Sequence, residues 1–361
     1  MGCRGTTYRK GQLPPVLLDK FSRALFYGLF VGAGALAVPP SLLPMMAPLV
    51  LLYGWTFLDG TEYTGRRKIH TLRYWSWLPR VYTRFFRCKV MGDGQPLAKS
   101  QQFLFVLHPH GLFPFAFLGN FAFSCTGVEG PFPGIATDQR NFYVGIASFC
   151  FYVPLLRDMF LAIGCVDCSR PHLAALLRQG YSVGVFPGGA SEAGLCGPGR
   201  ADLILRRRRG FLELALEHGV ALVSPCFMCR LSCHACVSRV CNPCACRWPG
   251  CSPTQVPVFT FGDNDLFTAF NEFQCFGLAG LFQHCTGLWF PLRVLPSIRP
   301  PRAASVSVIG QPIAVDKCST YSEEQVDFLR DRYIGSLSDL YLRHHTDCGG
   351  PSAAPELRIA E

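Results

Sequence analysis

The sequence predicts an α/β protein in which a mixed sheet flanked by helices follows an N-terminal hydrophobic membrane hairpin. Three observations predict it. Apolar runs of strand length, Phe103–Leu107 and Tyr181–Phe186, end abruptly in loops rich in Pro and Gly. Segments of helical period stand between and after them. Residues 24 to 58 contain no charged side chain at all.

The uncharged stretch comes first. A single spanning helix needs about 20 apolar residues, and this run is longer. Pro39, Pro40, Pro44 and Pro48 interrupt it, so a re-entrant or tightly turned hairpin over 24–58 is expected rather than one straight helix. Residues 1–23 form a cytosolic lead with Arg4, Arg9, Lys10, Lys20 and Arg23; Arg66, Arg67, Lys68 and Arg73 follow the run. Positive charge on both sides places both ends in the cytosol. A buried core hairpin is the alternative. The segment 59–98 mixes Tyr74, Trp75, Trp77, Tyr82, Phe85 and Phe86 with arginines, which suits an interfacial belt or an amphipathic surface helix. Met1-Gly2-Cys3-Arg4-Gly5-Thr6 also matches the short N-myristoylation pattern.

The strand Phe103–Leu107 runs into His108-Pro109-His110-Gly111. Loops at strand ends are where α/β proteins carry chemistry, and imidazole is the side chain suited to taking a proton near neutral pH. Leu112–Ser124 reads as a helix, and Pro131–Gly134 as a loop. Pro171–Gln179 has helical period, with Pro at its start and Gly180 at its end. The strand Tyr181–Phe186 then enters Pro187-Gly188-Gly189-Ala190-Ser191-Glu192. Adjacent glycines let backbone approach a ligand closely, and Glu192 could orient an imidazole, hold a hydroxyl or carry a proton. Arg206 to Arg209 precede an amphipathic helix, Phe211–His218; four arginines suit phosphates or a solvated face. Tyr321–His345 reads as a long amphipathic helix, and 346–361 as a flexible tail.

Composition sets the class. The chain has 361 residues, 49% hydrophobic and 16% charged, with mean hydropathy +0.23. That is too apolar for a typical cytosolic enzyme and too polar for a polytopic membrane protein. The net charge of +10 suits the anionic cytoplasmic face of a membrane, and nucleic acid is not expected as a partner. Of the 19 cysteines, eight (Cys226, Cys229, Cys233, Cys236, Cys241, Cys244, Cys246 and Cys251) crowd one segment. The scattered remainder read as buried thiols rather than bridges.

Taken together, the motifs resemble the diacylglycerol acyltransferase type 2 family, which includes the monoacylglycerol and wax alcohol acyltransferases. They are Phe105-Val-Leu-His-Pro-His-Gly111, Phe132-Pro-Gly134, Phe186-Pro-Gly-Gly-Ala-Ser-Glu192, Arg209-Gly-Phe-Leu-Glu-Leu-Ala-Leu-Glu-His-Gly219, Val256-Pro-Val-Phe-Thr-Phe-Gly262 and Gly310-Gln-Pro-Ile313. The likeness covers roughly residues 15 to 345. It implies an acyltransferase domain over 99–345 that moves a fatty acyl group from acyl-CoA to diacylglycerol, forming triacylglycerol. Monoacylglycerol or a long-chain alcohol is the alternative acceptor. His108, His110 and Glu192 are then the expected catalytic residues, with Pro109, Gly111, Gly188, Gly189, Arg209, Gly210 and Phe211 binding substrate. Acyl-CoA is a co-substrate; no cofactor and no metal are expected. The setting is the cytosolic face of the endoplasmic reticulum membrane or a lipid droplet, with a homo-oligomer left open.

Two departures stand out. The wider glycerolipid acyltransferases carry Asp five positions beyond the catalytic His, where this chain has Phe113 or Phe115. Glu192 is the candidate for the missing carboxylate. Second, residues 223–255 interrupt the family pattern between Leu222 and Val256. Cys226-x2-Cys229, Cys233-x2-Cys236 and Cys241-x2-Cys244 have zinc-like spacing, with His234 nearby. Taken with the basic charge, they support a rival of another class, a membrane-tethered zinc-binding protein. Excising 223–255 restores the strand, so an intron read in frame is the expected origin; a zinc site and a disordered loop are the other readings.

Overall fold

Phe103 to His108 form a strand whose six side chains are all buried. A strand that is apolar on both faces belongs in the middle of a sheet covered on both sides, and that is where it lies. The computed structural model describes residues 43–69, 77–93, 102–111, 117–122, 142–193, 201–218, 254–264, 267–269, 294–296, 304–313, 320–348 and 357–360, with single residues at 114, 195, 315 and 318.

In chain order the main elements are α1 (Leu43–Trp55), α2 (Thr61–Thr64), α3 (Trp77–Phe85), β1 (Lys89–Gly92), β2 (Phe103–His108), β3 (Phe142–Ile146), α4 (Leu156–Ala162), β4 (Cys165–Asp167), α5 (Arg170–Arg178), β5 (Ser182–Val185), α6 (Gly189–Ala193), β6 (Asp202–Ile204), α7 (Gly210–His218), β7 (Thr254–Phe261), β8 (Phe267–Ala269), β9 (Val294–Pro296), β10 (Val306–Ile309), α8 (Glu323–His344) and β11 (Arg358–Ala360). Two compact units divide them: residues 43–68 with 146–167, and the remainder.

In the larger unit, six strands lie side by side in the order β1-β10-β7-β2-β5-β3. β7, β2, β5 and β3 run parallel. β10 is antiparallel to β7, and β1 is parallel to β10. The expected mixed α/β sheet is therefore present. Its edge starts earlier than the sequence suggests, because β1 falls inside the segment read as interfacial. The pairing of β2 with β7 sets His108 opposite Phe259.

Helices cover this sheet. α5 buries Leu173, Ala174, Leu176 and Leu177, and Gln102 Nε2 donates to the carbonyls of Leu177 and Tyr181 at 2.7 and 2.6 Å. α8 starts with a capping box, in which Ser322 Oγ accepts from the Gln325 amide and Gln325 Oε1 accepts from the Ser322 amide. Its buried face is Val326, Leu329, Tyr333, Leu337, Leu340 and Tyr341, a stripe at three- and four-residue spacing. Tyr341 packs on Phe259 and Phe261 of β7, with ring centroids 4.9 and 5.4 Å apart.

The smaller unit has a different character. Met45, Leu49, Leu51, Leu52 and Trp55 on α1 all stand exposed, as does Leu155. α1 is 13 residues long and carries Pro48 inside it rather than ending there. No described helix is long and apolar enough to cross a membrane, and the first half of the expected hairpin lies outside the described residues, as does the acylation pattern at 1–6. Beneath α1, the fully buried Arg157 is neutralised by Glu62 at 3.0 Å and Asp59 at 3.1 Å. Its guanidinium lies 4.9 Å from the centroid of Phe57. A buried cation without such partners would be strongly destabilising.

Two further expectations meet the structure differently. The segment 346–361, expected to be a flexible tail, contains β11, which pairs in parallel with β6; Ile359, set opposite Leu203, supplies an apolar side chain there. Gln255, assigned to the insertion, is buried within β7 and exchanges backbone hydrogen bonds with Ile313. Thr254, also assigned to the insertion, opens β7, and residues 223–253, with the cysteines of the insertion, lie outside the described residues. The six described cysteines, Cys88, Cys150, Cys165, Cys168, Cys318 and Cys348, are all free thiols.

Leu337 is fully buried and Phe328, on the same helix, is 70% exposed. Leu337→Ala is expected to cost about 3 kcal/mol of stability, and Phe328→Ala less than about 0.5 kcal/mol, as read by denaturant unfolding in detergent.

Candidate active site

β2 delivers His108 as its last residue, 1% exposed. Its Nε2 lies 3.0 Å from the hydroxyl of Tyr333 on α8. Its Nδ1 is buried with no hydrogen-bond partner among the described residues. Burial pushes its pKa down to about 3, so the ring is neutral at physiological pH.

The chain then turns through Pro109 and His110 to Gly111. Gly111 has φ +62°, a conformation that favours glycine. This turn presents the His110 amide to Glu192 and folds the ring back, so that His110 Nδ1 lies 2.9 Å from the Gly111 carbonyl. A carbonyl only accepts, so Nδ1 carries the proton and Nε2 holds the lone pair. The ring sits edge-on to Phe186, centroids 5.5 Å apart. Burial lowers its pKa below the usual imidazole range, opposed by the Gly111 carbonyl.

Glu192 stands in the short helix α6, just beyond β5, and is 1% exposed. Its Oε1 accepts from the His110 amide at 2.5 Å, and its Oε2 accepts from the Ile204 amide of β6 at 3.2 Å. Burial raises its pKa to about 7, against the pull of those two amides and of the Arg208 charge. The glycine pair is needed for this placement. A Cβ on Gly188 would lie 2.0 Å from Glu192 Oε2, and Gly189 has φ +55°. Arg208 holds the loop from outside, donating to the Gly188 carbonyl at 3.2 Å and to Ser191 Oγ at 3.1 Å.

The structure therefore brings together His108, Pro109, His110, Gly111, Gly188, Gly189 and Glu192, which lie in two distant stretches of sequence. The Arg-Gly-Phe block makes contacts of its own. Arg209 pairs at 3.7 Å with both Glu323 and Asp327 at the start of α8. Gly210 opens α7, and the largely buried Phe211 packs edge-on against Tyr333, centroids 5.3 Å apart. Phe211 thus reaches His108 through Tyr333. Arg206 and Arg207 are the exposed members of the basic run.

Sequence reasoning missed Tyr333, and it read Arg208 only as one of four arginines suited to phosphates or a solvated face, where it holds the Gly188–Ser191 loop. Tyr333 stands fully buried on the apolar stripe of a helix that was legible as amphipathic. A phenol in such a stripe needs a polar partner, and that was the available signal.

Comparison with known proteins agrees with the motifs. Residues 41–230 and 251–357 match the family described as diacylglycerol acyltransferase, and the gap between them lies inside the cysteine-rich insertion. Diacylglycerol O-acyltransferase 2B of Umbelopsis ramanniana is 29% identical over 318 residues, 83% of this chain and 79% of the relative. Human acyl-CoA wax alcohol acyltransferase 2 is 27% identical, over 88% of this chain and 87% of its own length. Mouse 2-acylglycerol O-acyltransferase 1 is 26% identical, over 85% and 87%. With its motifs in family order and most of its length matched, the chain is an acyltransferase belonging to the diacylglycerol acyltransferase family.

Proposed function

We propose that this protein transfers a fatty acyl group from acyl-CoA to diacylglycerol, forming triacylglycerol, with a histidine of the His108–Gly111 loop as general base. The observation that carries the reading is the locked His110 ring, whose Nδ1 is tied to the Gly111 carbonyl while Nε2 keeps its lone pair. An alcohol is a poor nucleophile at neutral pH, and a positioned imidazole removes its proton as it attacks. Coenzyme A leaves as a thiolate, which is stable enough to depart without a cofactor. The exposed Arg206 and Arg207 are suited to its phosphates.

An uncharged acceptor is supported by Gly188-Gly189, which stand where related phosphate-acceptor enzymes carry Glu-Gly. The relatives include acyltransferases named for diacylglycerol, for 2-acylglycerol and for wax alcohols. Monoacylglycerol and long-chain alcohols are therefore the rival acceptors. The exposed apolar side chains of α1 support attachment to a bilayer, which we assign to the cytosolic face of the endoplasmic reticulum.

Microsomes containing the full chain, given labelled fatty acyl-CoA and each acceptor in turn, should make triacylglycerol fastest. Faster labelling of monoacylglycerol or alcohol would replace the acceptor. Loss of no activity in the His108→Ala, His110→Ala double variant would remove the histidine mechanism.

Glu192 predicts a pH limb. Below about pH 7 its carboxylate takes a proton and can no longer accept at both oxygens. Activity should therefore fall as pH drops through about 7. In Glu192→Gln, whose side chain does not titrate, the maximum should be lower and the acid limb should move to lower pH. Gly188→Ala, which forces the carboxylate aside, should reduce activity at every pH by about tenfold or more.

A further inference from the structure

His108 and His110 present opposite faces of imidazole chemistry. For His110 the tautomer follows from the Gly111 carbonyl, which can only accept. For His108, Tyr333 allows two arrangements. The phenol is fully buried and has two acceptors within reach: His108 Nε2 at 3.0 Å and the Val106 carbonyl at 3.5 Å. Burial, with the charge of Glu192 added, keeps the phenol protonated. If Nε2 carried the imidazole proton, it would donate to the phenol. The phenol proton would then depend on the 3.5 Å contact, at the limit of hydrogen bonding. If Nε2 instead accepts, the phenol proton is bound at 3.0 Å and the imidazole proton must sit on Nδ1. Each arrangement leaves one buried donor short, at about 1–3 kcal/mol: the phenol O–H in the first, and in the second the Nδ1–H, which has no partner among the described residues. Only the second gives the phenol its short acceptor and leaves an N–H that an incoming carbonyl can satisfy. Phe211 holds the phenol ring from its other side.

We infer that Tyr333 is a positioning residue that locks His108 as an N–H donor to the thioester carbonyl, leaving His110 as the base. This rests on the acyl-transfer reading above. The acceptor O–H bond breaks and its proton goes to His110 Nε2 as the oxygen bonds to the thioester carbon. The carbonyl oxygen takes up the electron pair and accepts a hydrogen bond from His108 Nδ1–H. The oxygen's pair then re-forms the carbonyl as the C–S bond breaks, giving the ester, and coenzyme A leaves with the sulfur electron pair and takes the proton from the His110 imidazolium. His108 never titrates in this scheme, consistent with its complete burial. The partnerless Nδ1 becomes a donor kept for the transition state, when the carbonyl oxygen gains charge.

Side-chain replacements separate the two histidines. Asparagine places an amide N–H near the position of Nδ1 but supplies no base. Relative to wild type, His108→Ala should lose about 10²–10³ in kcat, and His108→Asn should recover about tenfold of that loss. His110→Asn should remain at background, with a loss of about 10²–10⁴. Tyr333→Phe keeps the ring against Phe211 and removes only the hydroxyl. It should lower kcat about tenfold with KM for acyl-CoA unchanged. Histidine ¹⁵N spectra of the full chain in detergent, assigned by difference with His108→Asn, should show His108 as the Nδ1–H tautomer in wild type and a mixture in Tyr333→Phe. An Nε2–H tautomer in wild type overturns the inference, as does His108→Asn no better than His108→Ala, or His110→Asn retaining activity. The spectra need no substrate. Should wild type transfer no acyl group to any acceptor, the functional reading fails while the tautomer is still decided.

Discussion

The site depends on one buried carboxylate. Glu192 lies under the loop that follows β2, and its two oxygens accept amides from two separate segments, His110 and Ile204. Burying a carboxylate is expensive unless each oxygen is occupied, and here both are. Burial outweighs those amides and the Arg208 charge and raises the pKa to about 7. From this contact follow the absence of a side chain at Gly188, the anchor supplied by Arg208 and the direction in which the His108–Gly111 loop leaves the sheet. The carboxylate meets a backbone amide of His110 and no imidazole nitrogen. It shapes the loop without forming a His–carboxylate pair.

The second support comes from the far end of the domain. α8 brings Tyr333 to His108 across 225 residues of sequence, and the same helix buries Leu337, Leu340 and Tyr341 against the sheet. Its ordinary packing stripe thus carries one polar group into the site. Phe211, from the Arg-Gly-Phe block, completes the stack behind the phenol. Arg209 of that block pairs with Glu323 and Asp327 near the N-terminal end of α8. Two residues of this one motif therefore reach His108 by way of the helix that touches it.

Several features were legible because their causes are local. β2, α5, β5, α7 and α8 follow from apolar period, capping residues and Gly/Pro stops, and they lie close to where the sequence places them. The two strand-to-loop junctions were legible for the same reason, and their motif content identified the family. Other features were not. The C-terminal end of the insertion was misread at Thr254 and Gln255, because a polar residue within a buried strand is settled by its pairing partners, here Phe103 and Leu104 on β2 and Ile313 on the other side. The strand at Arg358–Ala360 was invisible because three residues gain strand character only from their neighbour β6. Four consecutive arginines looked alike in sequence. The fold separates them into two exposed side chains, one loop anchor and one ion pair with α8.

By itself, the sequence determined which segments become strands and helices, which two loops hold the histidines and the glutamate, and to which family of acyltransferases the chain belongs. Short-range sterics, periodicity and motif order carry that information. Only the tertiary structure decided what each group does within the loops. The bond from the His110 amide to Glu192 spans 82 residues and that from His108 to Tyr333 spans 225. The protonation of an imidazole and the charge of a carboxylate are set by the atoms that replace water around them. Those atoms arrive only when the sheet and its helices close.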